Sequence, residues 1–375
     1  MGDGVTALDR LSSDVPDWLD RDAWARIKLN LEGPGAREHW KHSSLAKTLE
    51  ALVGTERSVD EDLGELPNGV ETLRFSEADS ATLEVIRQRL AHRMDWSRYP
   101  LADVVNLIAQ DGWMIRVRRS LDTPLIIDAP SGINSPVIIE IAPGAQVELH
   151  EVSHATGVQA RLINIVIGRD AKLVHARHDF VSDCEHWQLL RVTLDDNASY
   201  QLHSHVVGAR LRRIDCQILL EGNGATAELT GTGITNDGTH LDQRHVVEHI
   251  GRATTSRNKL HNIAKGKSRC TFNGRIHIHA GASGTDADLQ NKNLALHESS
   301  EINTKPELEI YDDDVKCAHG ATVGQLDEHA LFYLGSRGIE PSLAKRLLCI
   351  GFITECIDGP LADELRGELL RHLDS

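Results

Sequence analysis

The sequence lacks four features that would each have indicated a common class of protein. Its six cysteines contain no C-x-x-C pair and indicate reduced cytosolic thiols, not a disulfide framework. No G-x-x-x-x-G-K-[ST] loop is present, so we do not expect the chain to hydrolyse a nucleotide itself. A formal net charge of -16 without a basic cluster argues against binding to nucleic acid or to a membrane surface. The longest apolar run near the C-terminus, residues 347–353, is too short to cross a bilayer, and we expect a soluble, cytoplasmic protein.

The middle of the chain has the residue pattern of β-structure. From Trp113 onward, β-branched and apolar residues alternate with polar ones, and turn residues separate the runs. Within this region a turn signature recurs, in which Gly, Asp, Asn or Arg precedes Ala, and its alanines are Ala145, Ala171, Ala198, Ala225 and Ala253. Successive alanines lie 26, 27, 27 and 28 residues apart, and Gly281-Ala282 extends the series. A period of this length predicts a solenoid in which each repeat forms one coil.

Stacked coils place the inward-facing residues of successive coils above one another. We expect Val147, Leu173 and Leu229 to form one such apolar column. The end coils have one neighbour each, so we expect lids there, and helical apolar spacing before and after the β-region supplies candidates. We therefore divide the chain into an N-terminal helical region (residues 1–112), a β-solenoid core (residues 113–322) and a C-terminal helical region (residues 323–375).

The C-terminal region contains the clearest helix signals. Asp327 is a candidate N-cap, and Pro341 is suited to open a second helix. That second helix is apolar on more than one face, which indicates burial on two sides or the docking of a partner. In the N-terminal region, Trp40 is expected to pack against a neighbouring element.

Two side chains that can bind a metal lie where the β-region meets the C-terminal helices. Cys317 and His319 are two residues apart, so on an extended strand both project from the same face. A thiolate beside an imidazole suits zinc, copper or iron-sulfur chemistry, and the adjacent Lys316 is expected to favour the thiolate. Two ligands do not complete a site, and simple packing of the cysteine is the alternative.

The segment around this pair resembles a known family. Residues 312–325 read DDDVKCAHGATVGQ, residues 331–334 read LFYL and residues 336–339 read SRGI. These runs closely resemble the SufB/SufD family of iron-sulfur cluster assembly proteins, with SufD as the nearer branch, although Gly335 stands where the family more often has a basic residue. The resemblance implies a mainly β fold, a right-handed parallel β-helix flanked by N-terminal and C-terminal helical regions.

The same resemblance implies a function. The chain would be a non-catalytic scaffold subunit of a SufBCD-type complex, and it would hold an iron-sulfur cluster transiently through Cys317 and His319. A SufB-like paralogue would supply further ligands across the subunit interface. A SufC-type ATPase would dock on the C-terminal helices and supply the nucleotide hydrolysis. When the paralogue is absent, pairing of the chain with itself is an open alternative.

Other motifs have competing interpretations. His203-Ser204-His205 and His277-Ile278-His279 each place two imidazoles on one strand face, but no carboxylate follows at the spacing of cupin-type sites. Hydrogen bonding between coils is the favoured role, with metal capture at a subunit interface as the alternative.

Gly222-Asn223-Gly224-Ala225 imitates a nucleotide-binding loop, yet it precedes strand-like sequence and is better interpreted as a coil corner. For the whole chain, two alternatives remain: a β-helix enzyme of carbohydrate or acyl-transfer chemistry, and a purely structural interaction protein.

Overall fold

Alternating apolar residues fold the middle of the chain into two long sheets that face each other. The computed structural model describes residues 16–19, 22–32, 38–55, 63, 65–109, 111–129, 132–133, 135–153 and 156–374. The first sheet contains, in spatial order, β1 (Val70–Arg74), β2 (Trp113–Val117), β5 (Val137–Ile141), β7 (Gly157–Ile167), β9 (Cys184–Leu194), β11 (Leu211–Leu220), β13 (His240–His249), β15 (Arg269–Ile278) and β17 (Glu301–Ile310), and β4 (Gly132–Ile133) pairs with β7. The second sheet contains β3 (Leu125–Ala129), β6 (Gln146–Ser153), β8 (Lys172–Asp179), β10 (Ser199–Val207), β12 (Thr226–Thr235), β14 (Thr255–Ala264), β16 (Asp286–Ala295) and β18 (Lys316–Gly324).

From β5 onward, successive strands alternate between the two sheets, so each of these coils contributes one strand to each sheet. From β2 onward the paired strands run parallel, and this confirms the predicted parallel β-helix. β1 is a strand that the sequence reading missed, because its short run lies between helices. It pairs with β2 in the antiparallel direction and forms the first edge of the solenoid.

The recurring turn signature marks the corners of the coils. Gly144, Asp170, Asn197, Gly224 and Gly281 have positive φ, and the alanine after each is buried. Gly, Asp and Asn tolerate this conformation best, which explains the residue types of the signature. The interpretation of residues 222–225 as a coil corner is confirmed. At Arg252-Ala253 the signature was assigned one residue too early. Ala253 itself takes the turning position with φ 52°, and Thr254 takes the buried position.

The interior of the solenoid is lined by columns of aligned side chains. Val147 lies beside Leu173, as predicted. Leu229 does not continue that column; it lies two residues along, in register with Leu202. The error arose because Leu173 and Leu229 are 56 residues apart, whereas both of the intervening coil-to-coil steps, Leu173 to Tyr200 and Tyr200 to Ala227, are 27 residues long.

Helices flank the solenoid on its sides. The described N-terminal helices are α1 (Ala23–Glu32), α2 (Leu45–Val53), α3 (Ser80–Ala91) and α4 (Leu101–Ala109). Their apolar residues form one cluster with the outward-facing Met114, Ile138 and Leu162 of the first sheet. Trp40 packs here as expected, with the guanidinium carbon of Arg213 lying 3.8 Å from its ring centroid, but its buried indole N–H has no hydrogen-bond partner within the described residues.

Of the three C-terminal helices, the second and third pack on the outer face of the second sheet, and the first packs on the second helix. They are α5 (Glu328–Ser336), α6 (Pro341–Thr354) and α7 (Ala362–Asp374), and Asp327 caps α5 by accepting from the backbone N–H of His329. Cys349 and Ile353 of α6 pack on Ile234 and Ile263. The expectation that these helices close the last coil was therefore wrong. Neither β17 nor β18 contains a fully buried residue, because within the described chain no further coil or helix covers them.

The helices are also too short to cross a bilayer. Among the described residues, none combines the length and the apolar character of a membrane-spanning segment.

Candidate metal centre at the last coil

Cys317 and His319 lie on β18, the last strand of the second sheet. Strand alternation gives both side chains the same orientation as the residues that line the solenoid interior. The column that ends at Cys317 contains Val147, Leu173, Tyr200, Ala227, Ser256 and Ala287. The column that ends at His319 contains Leu149, His175, Leu202, Leu229, Asn258 and Leu289.

In both columns the last side chain is more exposed to solvent than the others. Every upstream member is at most 4% exposed, whereas Cys317 is half-buried and His319 is exposed. The difference arises because each upstream residue is covered by the next coil and β18 is not. A thiol and an imidazole thus occupy core positions that the described chain leaves open.

The environment of Cys317 favours the protonated thiol. The pKa of this thiol is raised to about 11, first by burial and then by the negative charge of Asp288. The expectation that Lys316 would favour the thiolate was wrong, because successive strand residues face opposite sides and Lys316 lies in register with Asp286. Binding of a metal ion to this sulfur therefore displaces the thiol proton.

The described chain supplies two ligands at this edge. Within the described residues, neither Cys317 nor His319 belongs to a group of three converging His, Cys, Asp or Glu side chains. Iron-sulfur clusters and structural zinc ions take about four protein ligands. Two side chains do not complete such a centre, so a metal centre at Cys317 and His319 stays a prediction that requires further ligands.

A second group of ligating side chains was missed by the sequence analysis. Glu248, His277 and His279 have ligand atoms that all lie within 4.8 Å of one another. No carboxylate follows this H-x-H motif at the spacing of cupin-type sites. The carboxylate comes instead from the previous coil, where Glu248 is in register with His277. The favoured interpretation, hydrogen bonding between coils, is confirmed for His279, whose Nε2 lies 3.0 Å from Glu248 Oε2.

The other H-x-H motif is part of the packing of the C-terminal helices. His203 Nδ1 lies 2.9 Å from a carboxylate oxygen of Asp358, just after α6. His205 is buried and its Nδ1 lies 2.9 Å from the hydroxyl of Thr232. These two imidazoles therefore serve hydrogen bonding between coils and to the helical region, as the sequence analysis favoured.

Comparison with known proteins assigns the solenoid and its last coil to a family. The family model described as "SUF system FeS cluster assembly, SufBD core domain" matches residues 125–352, which is more than half of the chain. The chain belongs to the SufB/SufD family. The match begins at β3 and ends within α6, so the SufB/SufD core includes the parallel coils, the edge at β18 and the first helices beyond it.

Curated relatives agree with this assignment. The chain is 30% identical to the iron-sulfur cluster assembly protein SufD of Escherichia coli over 243 residues, which cover 63% of this chain and 57% of that protein. It is 33% identical to an iron-sulfur cluster assembly SufBD family protein of Synechocystis over 208 residues, which cover 55% of this chain and 46% of that protein. It is 28% identical to the chloroplastic protein ABCI7 of Arabidopsis thaliana over 217 residues, which cover 56% of this chain and 45% of that protein. The chain thus spans about half the length of the curated relatives it matches.

Proposed function

We propose that this SufB/SufD-family chain is a non-catalytic scaffold subunit on which an iron-sulfur cluster is assembled at the interface with a SufB-like partner. One observation carries the proposal: Cys317 and His319 occupy interior positions of the last coil and yet remain open. A partner that continues the stack would enclose both side chains. The nascent cluster, as the cargo of the complex, would then be held by ligands from two chains.

The edge strands support this kind of assembly. β17 pairs with β15 and β18 pairs with β16, and each is the last strand of its sheet within the described chain. Edge strands present backbone N–H and C=O groups to which another chain can pair. The same edge would serve a SufB-like paralogue or, in its absence, a second copy of this chain.

The C-terminal helices are the proposed docking region for a SufC-type ATPase. α5 and α6 expose four large apolar side chains: Phe332 at 79%, Tyr333 at 57%, Leu343 at 43% and Leu347 at 41%. Exposed apolar residues grouped on neighbouring helices mark interaction surfaces, and aromatic residues dominate binding energy at such surfaces. The sequence analysis found no P-loop in this chain, which is consistent with an ATPase supplied by a partner.

Family membership supports the proposal against one of the two alternatives. A match to a SUF-system domain favours cluster assembly over a β-helix enzyme acting on carbohydrate or transferring acyl groups. The cytoplasmic location stays a prediction, since one relative carries a chloroplastic name.

Cluster reconstitution in the complex tests the proposal. The chain is co-expressed with its SufB-like and SufC-type partners, and the purified complex is treated anaerobically with ferrous iron and sulfide. We expect Cys317→Ser and His319→Ala each to lower the visible absorbance of the cluster and the acid-labile sulfide content, because each removes a ligand. His297→Ala, which removes an exposed imidazole between β16 and β17, is the matched control.

Two outcomes would contradict the proposal. Equal cluster content in the parent complex and in both ligand variants would leave Cys317 and His319 as packing residues. Failure of the chain to co-purify with either partner would remove the scaffold role itself.

A further inference from the structure

We propose that Glu248, His277 and His279 form a binding site for a divalent first-row transition metal ion on the outer face of the first sheet. This site lies on β13 and at the end of β15, whereas Cys317 and His319 lie on β18 of the other sheet. The inference rests on the geometry of these three side chains and does not depend on the proposed scaffold role.

The fold brings the three ligands together by two separate rules. His277 and His279 are two residues apart in extended chain, so their imidazoles share one face. The register between β13 and β15 then places Glu248 directly beside His277 on that face. Two nitrogen donors and one oxygen donor therefore converge from two coils.

The distances are close to those that a bound ion requires. Metal–ligand bonds of about 2.0 to 2.2 Å place neighbouring donor atoms roughly 3 to 3.5 Å apart. His279 Nε2 and Glu248 Oε2 already lie 3.0 Å apart. The His277 ring stacks on the His279 ring, with centroids 3.9 Å apart and planes 20° apart, and its ligand nitrogen lies within 4.8 Å of the other two ligand atoms.

The surroundings hold the ligands in place and leave one side open. Gln217 Nε2 donates to Glu248 Oε1 at 2.8 Å, which directs the other carboxylate oxygen toward His279. The side chains of His279 and Glu248 are 29% and 17% exposed, so an ion can reach them from solvent. Tyr311 stands edge-on to His277 with ring centroids 5.4 Å apart.

The local charges favour a cation. The nearby guanidinium of Arg275 is paired with Glu309, so its charge is compensated. An imidazole binds a metal ion through the lone pair of its neutral form.

The ligand set identifies the class of ion. Imidazole nitrogens suit zinc, cobalt, nickel and ferrous iron, whereas magnesium and calcium prefer oxygen ligands. Three protein ligands leave at least one position of a four-coordinate ion for water or for a further ligand.

Metal titration of the full-length chain tests the site. A Cys317→Ser/His319→Ala background removes the ligands of the last coil, and Co²⁺ is titrated while its visible absorption is recorded. Zn²⁺ binding is measured by calorimetry, with Mg²⁺ as a competitor. We expect one equivalent of Co²⁺ or Zn²⁺ to bind, without competition from Mg²⁺.

Single substitutions assign the ligands. His277→Asn and His279→Asn are each expected to weaken Zn²⁺ affinity more than Gln217→Ala does, because Gln217 acts through Glu248 and such outer partners contribute about 10- to 100-fold. His329→Asn is the matched control and should bind as the background does. The site is overturned if Zn²⁺ and Co²⁺ affinity is unchanged in both histidine variants, or if His329→Asn loses the same equivalent. Far-ultraviolet circular dichroism of each variant verifies that the solenoid is intact.

Discussion

At the scale of single residues, the solenoid buries histidines that must remain neutral. His245 lies in the interior, where Asn258 Nδ2 donates to its Nδ1 at 3.1 Å and its ring stands edge-on to Phe272. Burial lowers the pKa of His245 to about 4, with a further contribution from Arg177. Burial likewise lowers the pKa of His205 to about 4 and that of His249 to about 3. The folded state thus binds fewer protons at these residues than the unfolded chain does.

This difference predicts how stability depends on pH. An unfolded histidine has a pKa near 6.5, above the folded value, so the stabilisation is present above pH 6.5 and is lost as the pH falls through 6.5 toward about 4. Each such histidine contributes a slope of up to about 1.4 kcal/mol per pH unit in that window. We expect His245→Gln to reduce the slope of the unfolding free energy, measured in urea between pH 7 and pH 5. The exposed His297→Gln is the control, and an unchanged slope in His245→Gln would contradict the prediction.

At the scale of elements, the corners decide how each coil passes to the next. A positive φ at the corner turns the chain, and a small buried residue after it lets the next strand begin. Most corners have Gly, Asp or Asn at the turning position. Ala253 occupies the equivalent position with φ 52°, where its Cβ makes the conformation unfavourable.

The corner at Ala253 predicts a stabilising substitution. Ala253→Gly removes the unfavourable Cβ, and after the larger entropy of glycine in the unfolded chain we expect a gain of about 0.5 to 1 kcal/mol in the free energy of unfolding. Ala225→Gly is the matched control, because Ala225 follows a corner and is fully buried, so this change should destabilise. Urea unfolding of both variants measures the effect. A loss of stability in Ala253→Gly similar to that in Ala225→Gly would show that the corner is not strained.

At the scale of the whole molecule, the helices lie on the sides of the solenoid, and its two ends differ in how far they are covered. At the first end, partly buried residues such as Leu63, Leu66 and Leu121 pack against the core. At the last end, β17 and β18 remain open within the described chain, and α5 and α6 present apolar side chains nearby in sequence. Both surfaces are available to partners, one through strand edges and one through helices.

The helical surface gives a binding prediction. Phe332→Ala is expected to weaken binding of a SufC-type ATPase by at least about 10-fold, equivalent to about 1.4 kcal/mol, because exposed aromatic residues commonly act as binding hot spots. Leu29→Ala on α1, where the side chain is 74% exposed, is the matched control. Calorimetric titration of the purified ATPase into each variant measures the affinity. Identical affinities of the Phe332→Ala variant and the parent for the ATPase would show that the docking surface lies elsewhere.

Much of the fold could be predicted because it follows from local rules. The strand alternation and the regular spacing of the corners predicted a solenoid, and the family resemblance implied a parallel β-helix. The alternation also placed Cys317 and His319 on one face. The helix starts at Asp327 and Pro341 were found in the same way, since capping depends on neighbouring residues. The column of Val147 was extended wrongly to Leu229, because a two-residue counting error moves a side chain to the neighbouring column.

The sequence by itself determined the solenoid and the pairing of one thiol with one imidazole, because both depend on spacings within a few tens of residues. Only the tertiary structure decided which residues meet between coils. Glu248 reaches His277 through a coil of 29 residues whose corner length sets the register. Tertiary packing also sent the C-terminal helices to the outer face of the second sheet, where Ile234 and Ile263 offer an apolar surface. Within the described residues, that choice leaves the last coil uncovered and two interior positions exposed to solvent.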